Sequence, residues 1–322
     1  MFAVYAESFS TDDPLSGLVV GDRPDPVPED GWTTISVKAA ALNHHDLWSL
    51  RGVGLKEEAL PMILGCDASG VDEDGNEVVV HAVVSSPDWL GDETLDPRRS
   101  LLSERYQGTF ADRVAVPRRN LVPKPASLSF EEAACLPTAW LTAYRMLFTQ
   151  SGLKPGDSVL VQGAGGGVAT ACIALARAAG LRVYATSRDE AKRTRALDLG
   201  AHEVFESNAR LPQRMDAVIE TVGKATWSHS IKSLRPGGTL VISGTTSGPN
   251  PDNAELTRVF FLQLRIIGST MGTRSELASL VQLLDVSGVR PIIDRVLPME
   301  QAEDGFAAMD SGDVFGKVVF TR

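Results

Sequence analysis

Cysteine is scarce. The 322 residues hold three, Cys66, Cys135 and Cys172, far apart and odd in number. No Cys-x-x-Cys pair occurs, which excludes a disulfide framework or a cysteine-built zinc ribbon and leads us to expect a reducing, cytoplasmic setting. Positive charge is also short: 31 Lys and Arg stand against 41 Asp and Glu, a net charge of -10. A general nucleic-acid or anionic-membrane surface is therefore not expected, because phosphate binding needs a basic face. Long apolar runs are missing too, and none approaches the about 20 residues of a membrane span. The opening Met1-Phe2-Ala3-Val4-Tyr5-Ala6-Glu7 has neither a basic region nor a long apolar core, and reads as a first strand rather than a secretory leader. What remains is an ordinary globular composition, 43% hydrophobic, long enough for two domains.

One stretch organises the chain. Ser158 to Ala169 is a β-branched run ending in a glycine-rich turn, and it opens directly into Thr170 to Ala179, built from helix formers and ending at Gly180. Arg182-Val183-Tyr184-Ala185-Thr186-Ser187 then reads as a second buried strand, completing a βαβ unit. Glycines at such a turn let a pyrophosphate approach the backbone, and the free N–H groups of the helix start face it. A site that prefers NAD has an Asp or Glu about twenty residues past the turn, for the ribose hydroxyls. Here that place holds Ser187-Arg188, with Lys192 and Arg193 beyond. A guanidinium suits a ribose 2′-phosphate, so NADPH is the expected cofactor, although Asp189 and Glu190 stand among these charges.

Residues 1–123 read as short strands and turns: Ile35 to Leu42, Glu77 to Val84 after an Asp74-Gly75 hairpin signal, and Thr109 to Val116. Ser85 to Arg105 has no regular period and reads as an exposed loop or lobe. Ser129 with Glu132 opens a helix that Pro137 kinks or divides. From Val159 onward strands alternate with helices through Ala217 to Val222, Thr239 to Ser243 and Arg265 to Gly268, the pattern of a doubly wound parallel sheet. The tail reads strand, helix, strand.

Leu42-Asn43-His44-His45-Asp46-Leu47-Trp48, Gly108-Thr109-Phe110-Ala111, Leu141-Thr142-Ala143-Tyr144, Gly165-Gly166-Gly167-Val168, Glu220-Thr221-Val222-Gly223 and Ser311 to Lys317 together resemble the medium-chain dehydrogenase/reductase superfamily along nearly the whole chain. The resemblance implies an α/β protein with a GroES-like β-rich catalytic domain, residues 1–123 completed by 289–322, and a Rossmann domain, residues 124–288. It also implies hydride transfer with a nicotinamide cofactor, a homodimer and a small-molecule substrate. In zinc-dependent relatives the catalytic metal is held by a Cys before His-x-Asp, the His of Gly-His-Glu and a later Cys. The matching positions here are Asn43, Cys66 and Thr138, and the Ser85 to Arg105 lobe lacks the four cysteines of the structural zinc. No metal is therefore expected, as in the quinone oxidoreductase branch, although His44, His45, Cys66 and Asp67 could rebuild a site.

The expected activity is NADPH-dependent, zinc-independent reduction of a quinone, enone or related carbonyl. The alternatives are a zinc-dependent alcohol dehydrogenase and a non-catalytic nucleotide-binding regulator. Without a Lewis acid, Asn43 is the expected donor to the developing oxyanion, His45 the proton donor and Asp46 its orienting partner. For the cofactor the resemblance points to Thr138 and Thr142, to Gly165, Gly166, Gly167 and Val168 at the pyrophosphate, and to Ser187, Arg188 and Lys192 at the adenosine end. Val222, Gly244, Thr245 and Lys317 complete that set.

Overall fold

A computed structural model describes all residues from Met1 to Arg322. Its contacts divide the chain into one unit of residues 1–141 and 271–322 and a second of residues 142–270.

The first unit is built on a mixed sheet ordered Leu121–Pro123, Glu77–Val80, Asp67–Val71, Trp32–Ala41, Lys317–Thr321 and Ile293–Pro298. Arg113–Pro117 also pairs with Trp32–Ala41, and Phe2–Ala6 heads a smaller sheet. Trp32–Ala41 alternates outside and inside for most of its length, the period of a half-buried strand. Phe110, Phe306 and Phe320 meet beneath it, Phe110 edge-on to Phe320 at 5.2 Å. The closing pair is strand, helix Ala302–Asp310, parallel strand, so the C-terminus completes the sheet begun by the N-terminal strands. Register then fixes the site. Val319 pairs with Ala41 and Ala41 with Asp67, which brings Lys317, Asn43 and Asp67 to one end of three adjacent strands.

The helix at Phe130 starts as its sequence predicts, Ser129 Oγ accepting from Glu132 N at 3.2 Å and Glu132 Oε2 from Ser129 N at 2.9 Å. Around Pro137 the backbone widens into a π-type turn over Leu136–Trp140. Helix Arg274–Ser287 packs on that turn and on Leu121–Pro123, which is why it groups with the first unit although the sequence reading sets it in the Rossmann domain. The Ser85 to Arg105 segment differs from expectation as well. Its outer part is exposed, but Asp96 is fully buried and accepts from Ser86 N and Arg98 N, and Leu102 and Ser103 have no exposed surface. The missing period reflects a fold held largely by side-chain-to-backbone bonds, its one ladder being the short pairing of Val83–Val84 with Ser100–Leu101.

The second unit bears out the α/β reading. Six parallel strands run in the order Glu203–Phe205, Arg182–Thr186, Ser158–Val161, Met215–Glu220, Leu234–Ile242 and Arg265–Gly268. Counted along the chain this is 3-2-1-4-5-6, the Rossmann order, with its switch point beside Ser158–Val161. All four residues of that central strand are buried, as a strand covered on both faces requires.

Candidate active site

In the second unit the expected nucleotide residues gather where the parallel strands end. Gly163 and Gly165 turn at φ 73° and 130°, and Gly166 caps helix Gly167–Ala178 with no side-chain bond to its first N–H groups. A Cβ on Gly166 would meet nothing within 4 Å, whereas one on Gly163 would lie 2.7 Å from Val222 Cγ2 and one on Gly165 2.8 Å from Lys192 Cδ. The turn is therefore tight underneath and open above, the cradle a pyrophosphate needs. Ala164 N donates to Thr186 O at 2.7 Å, which ties the turn to the strand that delivers Ser187 and Arg188. Arg188 is exposed and has no ion pair, while Asp189 caps the next helix by accepting from Lys192 N at 3.1 Å. Gly244 closes on Thr221 O, so Val222, Gly244 and Thr245 line adjacent strand ends. Thr142 is buried at the start of this unit.

Sequence reasoning missed the support beneath this edge. Glu220 is fully buried and accepts from Val222 N at 2.7 Å, Gly223 N at 3.0 Å, Thr226 Oγ1 and Ser230 Oγ. Gln162 Nε2 donates to Ser230 Oγ at 2.9 Å and joins Glu220 to the first turn. A satisfied network of this kind fixes loop positions, and its signal in sequence was only a lone Gln and a lone Glu in apolar strands.

The first unit holds the expected catalytic residues at the start of helix His44–Leu50. Asp46 is their anchor: Oδ2 accepts from Asn43 N at 2.8 Å and Oδ1 from Gly65 N at 3.0 Å, tying the helix start to the loop before Asp67. Asn43 differs from expectation. Its amide donates both to Ala41 O at 3.2 Å and to Asp67 Oδ2 at 2.9 Å, while its Oδ1 accepts from Lys317 Nζ at 2.6 Å. With two amide protons and both engaged, it has no donor left for an oxyanion. Lys317 is a second correction. Its ammonium lies in the first unit, 2% exposed, giving bonds to Leu42 O at 2.7 Å, Asn43 Oδ1 and Asp67 Oδ2 at 3.2 Å, so it is not available to a nucleotide. Burial pushes the Asp67 carboxyl up, opposed by the charge of Lys317 and the Asn43 amide. Asp67 Oδ1 and Thr138 Oγ1 remain buried without a hydrogen bond of normal geometry.

His45 stands apart from that cluster. Its Nε2 lies 3.1 Å from Glu104 Oε1, its Nδ1 3.4 Å from Cys66 Sγ and 4.0 Å from Asp46 Oδ1. Burial disfavours a charged ring, but the Cys66 sulfur and the carboxylates of Asp46 and Glu104 outweigh it, and His45 stands well above its ordinary value. For Glu104 burial likewise opposes ionisation and the His45 ring overcomes it. Burial pushes the Cys66 thiol up against the pull of His45, and the thiol donates to Leu102 O at 3.2 Å. The group is thus a histidine ring held between a carboxylate on Nε2 and a sulfur on Nδ1. Glu104, 59 residues from His45, carried no sequence signal. His44, beside them in sequence, is exposed.

Residues 29–126 match the alcohol dehydrogenase GroES-like domain, and residues 167–285 match the zinc-binding dehydrogenase family. A solved structure titled as an NAD-dependent alcohol dehydrogenase superposes with a TM-score of 0.91 at 36% identity, covering 100% of both chains. The chain belongs to the medium-chain dehydrogenase/reductase superfamily. It is also similar to an acryloyl-coenzyme A reductase of Sulfurisphaera tokodaii, 27% identical over 95% of this chain and 97% of the relative. A quinone oxidoreductase of Mus musculus is 29% identical over 86% and 85%. The protein is accordingly an NAD(P)H-dependent oxidoreductase of this superfamily. No helix is long and apolar enough to cross a membrane.

The zinc of many medium-chain dehydrogenases does not fit the family position in this chain. Asn43 is saturated by hydrogen bonds, Thr138 offers only a hydroxyl, and a fully bonded ammonium sits between Asn43 and Asp67. A cation already neutralises the carboxylate there, and a divalent ion beside it would meet like charge.

Proposed function

We propose that this protein is an NADPH-dependent, zinc-independent reductase that delivers hydride to a quinone, an enone or a related carbonyl compound. The observation that carries the reading is Lys317: its ammonium holds Asn43 and Asp67 together where the zinc branch gathers metal ligands. The nicotinamide, when bound, supplies the hydride. Gly165, Gly166, Gly167 and Val168 receive the pyrophosphate, Val222, Gly244 and Thr245 the adjoining ribose and nicotinamide, and Ser187, Arg188 and Lys192 the adenosine end. Arg188 supports the 2′-phosphate, because the neighbouring Asp189 is engaged as a helix cap. His45 is the proton source, held by Glu104 on one ring nitrogen and oriented by Asp46 and Cys66 on the other. Asn43 acts as a positioning residue.

Metal content of the purified protein, measured beside NADPH oxidation against a quinone and an enone with and without a chelator, tests the reading. Turnover with metal near zero and no chelator effect supports it. Stoichiometric zinc with chelator-sensitive alcohol oxidation would replace it by the second reading, an alcohol dehydrogenase, which the 36% identical structure favours.

We also propose a cytoplasmic homodimer. Three free, buried thiols suit a reducing compartment. Strand Arg265–Gly268 is paired on one side only, and beside it Leu256, Phe260 and Phe261 are 70%, 70% and 76% exposed, a surface that a second copy would cover. Light scattering of Phe260→Asp/Phe261→Asp against the parent checks it: a dimer that persists in the variant removes this interface.

A further inference from the structure

The constellation around Cys66 is more than a scaffold for His45. His45 Nδ1, Cys66 Sγ and an Asp46 carboxylate oxygen all lie within 4.8 Å of one another. A tetrahedral zinc-like ion, at about 2.3 Å from sulfur and about 2.0–2.1 Å from nitrogen, sets those two atoms about 3.5 Å apart. The structure has 3.4 Å. His45 Nδ1 and Asp46 Oδ1, at 4.0 Å, need to close by only about half an ångström to share such an ion. The second shell is in place. With the ion bound, Glu104 Oε1, 3.1 Å from Nε2, would accept from the Nε2–H while Nδ1, its proton displaced, faces the sulfur; this is the carboxylate–histidine pairing that orients metal-binding imidazoles. Ser103, held at φ 66° in a fully buried position, aims its hydroxyl at the same sulfur from 3.6 Å. A non-glycine residue in that conformation is uncommon, and here it turns the hydroxyl toward the sulfur. Entry is through His45, whose side chain is 21% exposed.

We infer that His45, Cys66 and Asp46 form a site for one thiophilic divalent cation, with water as fourth ligand, and that occupancy silences the reductase. Of the family's three metal positions only Cys66 takes part; Asn43 and Thr138 do not, and His45 and Asp46 supply the other ligands. The ion replaces the thiol proton of Cys66 and the Nδ1 proton of His45, releasing both to solvent. With Nδ1 on the metal, the ring cannot become an imidazolium, and its proton donation is lost. The silencing rests on the proposed role of His45; the binding does not.

Co2+ added to the metal-free protein is the probe. A thiolate-to-cobalt charge-transfer band at one equivalent is expected; it is absent in Cys66→Ser and retained in Cys135→Ser. Glu104→Gln weakens Co2+ binding about ten- to a hundredfold while keeping the ligands. Native thermal melts of each variant establish that it is folded. In parallel, one equivalent of Zn2+ lowers NADPH-dependent turnover at least tenfold in the parent, a chelator restores it, and Cys66→Ser shows no change on adding zinc. A missing band, or one that survives in Cys66→Ser, overturns the site. A band with undiminished turnover overturns the silencing alone. Turnover that requires the metal overturns the silencing and the zinc-independent reading together.

Discussion

The buried ammonium makes the strongest quantitative claim. Lys317 Nζ is 3.2 Å from Asp67 Oδ2, with side chains 2% and 0% exposed. Substituting Lys317→Met leaves a carboxylate without its cation and removes the donor to Leu42 O and Asn43 Oδ1. Breaking a buried pair from one side costs about 3–5 kcal/mol. The orphaned acceptors share the same ammonium, so we do not add them separately and take about 4 kcal/mol. For a unit of this size that lowers the melting temperature by about 8–16 °C. Lys317→Met/Asp67→Asn removes the stranded charge and should recover more than half of the loss, a coupling of about 2 kcal/mol or more. Urea unfolding followed by far-ultraviolet circular dichroism measures Lys317→Met, Asp67→Asn and the double variant. A single-variant loss below about 1 kcal/mol, or a double-variant loss equal to the sum of the singles, refutes the argument that this cation is structurally required. Zinc should not close the gap in stability between Lys317→Met and the parent, because Asn43 and Thr138 remain poor ligands and binding at His45, Cys66 and Asp46 would raise both alike.

Arg188→Ala should lower kcat/KM for NADPH about tenfold to a hundredfold and leave that for NADH within about twofold, since a charge-assisted bond is worth about 1.5–3 kcal/mol; equal losses with both cofactors refute the 2′-phosphate assignment. Gly166→Ala meets open space at φ -74°, so urea unfolding should find stability within about 0.5 kcal/mol of the parent while fluorescence titration finds NADPH affinity reduced tenfold or more. Unchanged affinity would mean that the pyrophosphate does not cross this turn. His81 is buried with Nε2 at 2.8 Å from Gly272 O, and burial lowers its pKa from 6.5 against the opposing effects of the Gly272 carbonyl, Glu93 and Glu276. The unfolded chain accepts a proton near pH 6.5 that the fold refuses, so stability is full above that pH and falls as the pH drops below it. His81→Gln keeps a donor toward Gly272 and should flatten the urea midpoint between about pH 5 and 7; an unaltered slope assigns the acid sensitivity elsewhere.

The Rossmann unit was legible because its signals are local. A β-branched run at Ser158–Val161, glycines needing positive φ at Gly163 and Gly165, and the Asp189 cap of the next helix each act within a few residues. The candidate catalytic residues were legible only as neighbours in sequence. Asn43, His45 and Asp46 share one helix start, yet Asn43 joins Asp67 and Lys317 while His45 faces Glu104 and Cys66, because both groupings depend on pairing across the chain. Nothing near Asn43 in sequence says that its second amide proton goes to Asp67, 24 residues on, or that its oxygen meets an ammonium 274 residues on. Those partners are set by the register of Lys317–Thr321 against Trp32–Ala41, a one-residue slip of which would turn Lys317 to the opposite face of the sheet. The same register argument bears on chemistry. An asparagine in place of a metal ligand leaves Asp67 buried and unneutralised unless a cation arrives from the neighbouring strand, and only the last strand is placed to deliver one. Asn43 and Thr138 in place of metal ligands and the engagement of Lys317 are therefore parts of a single physical arrangement, and on the proposed reading proton donation falls to His45, which keeps an exposed edge beside Glu104.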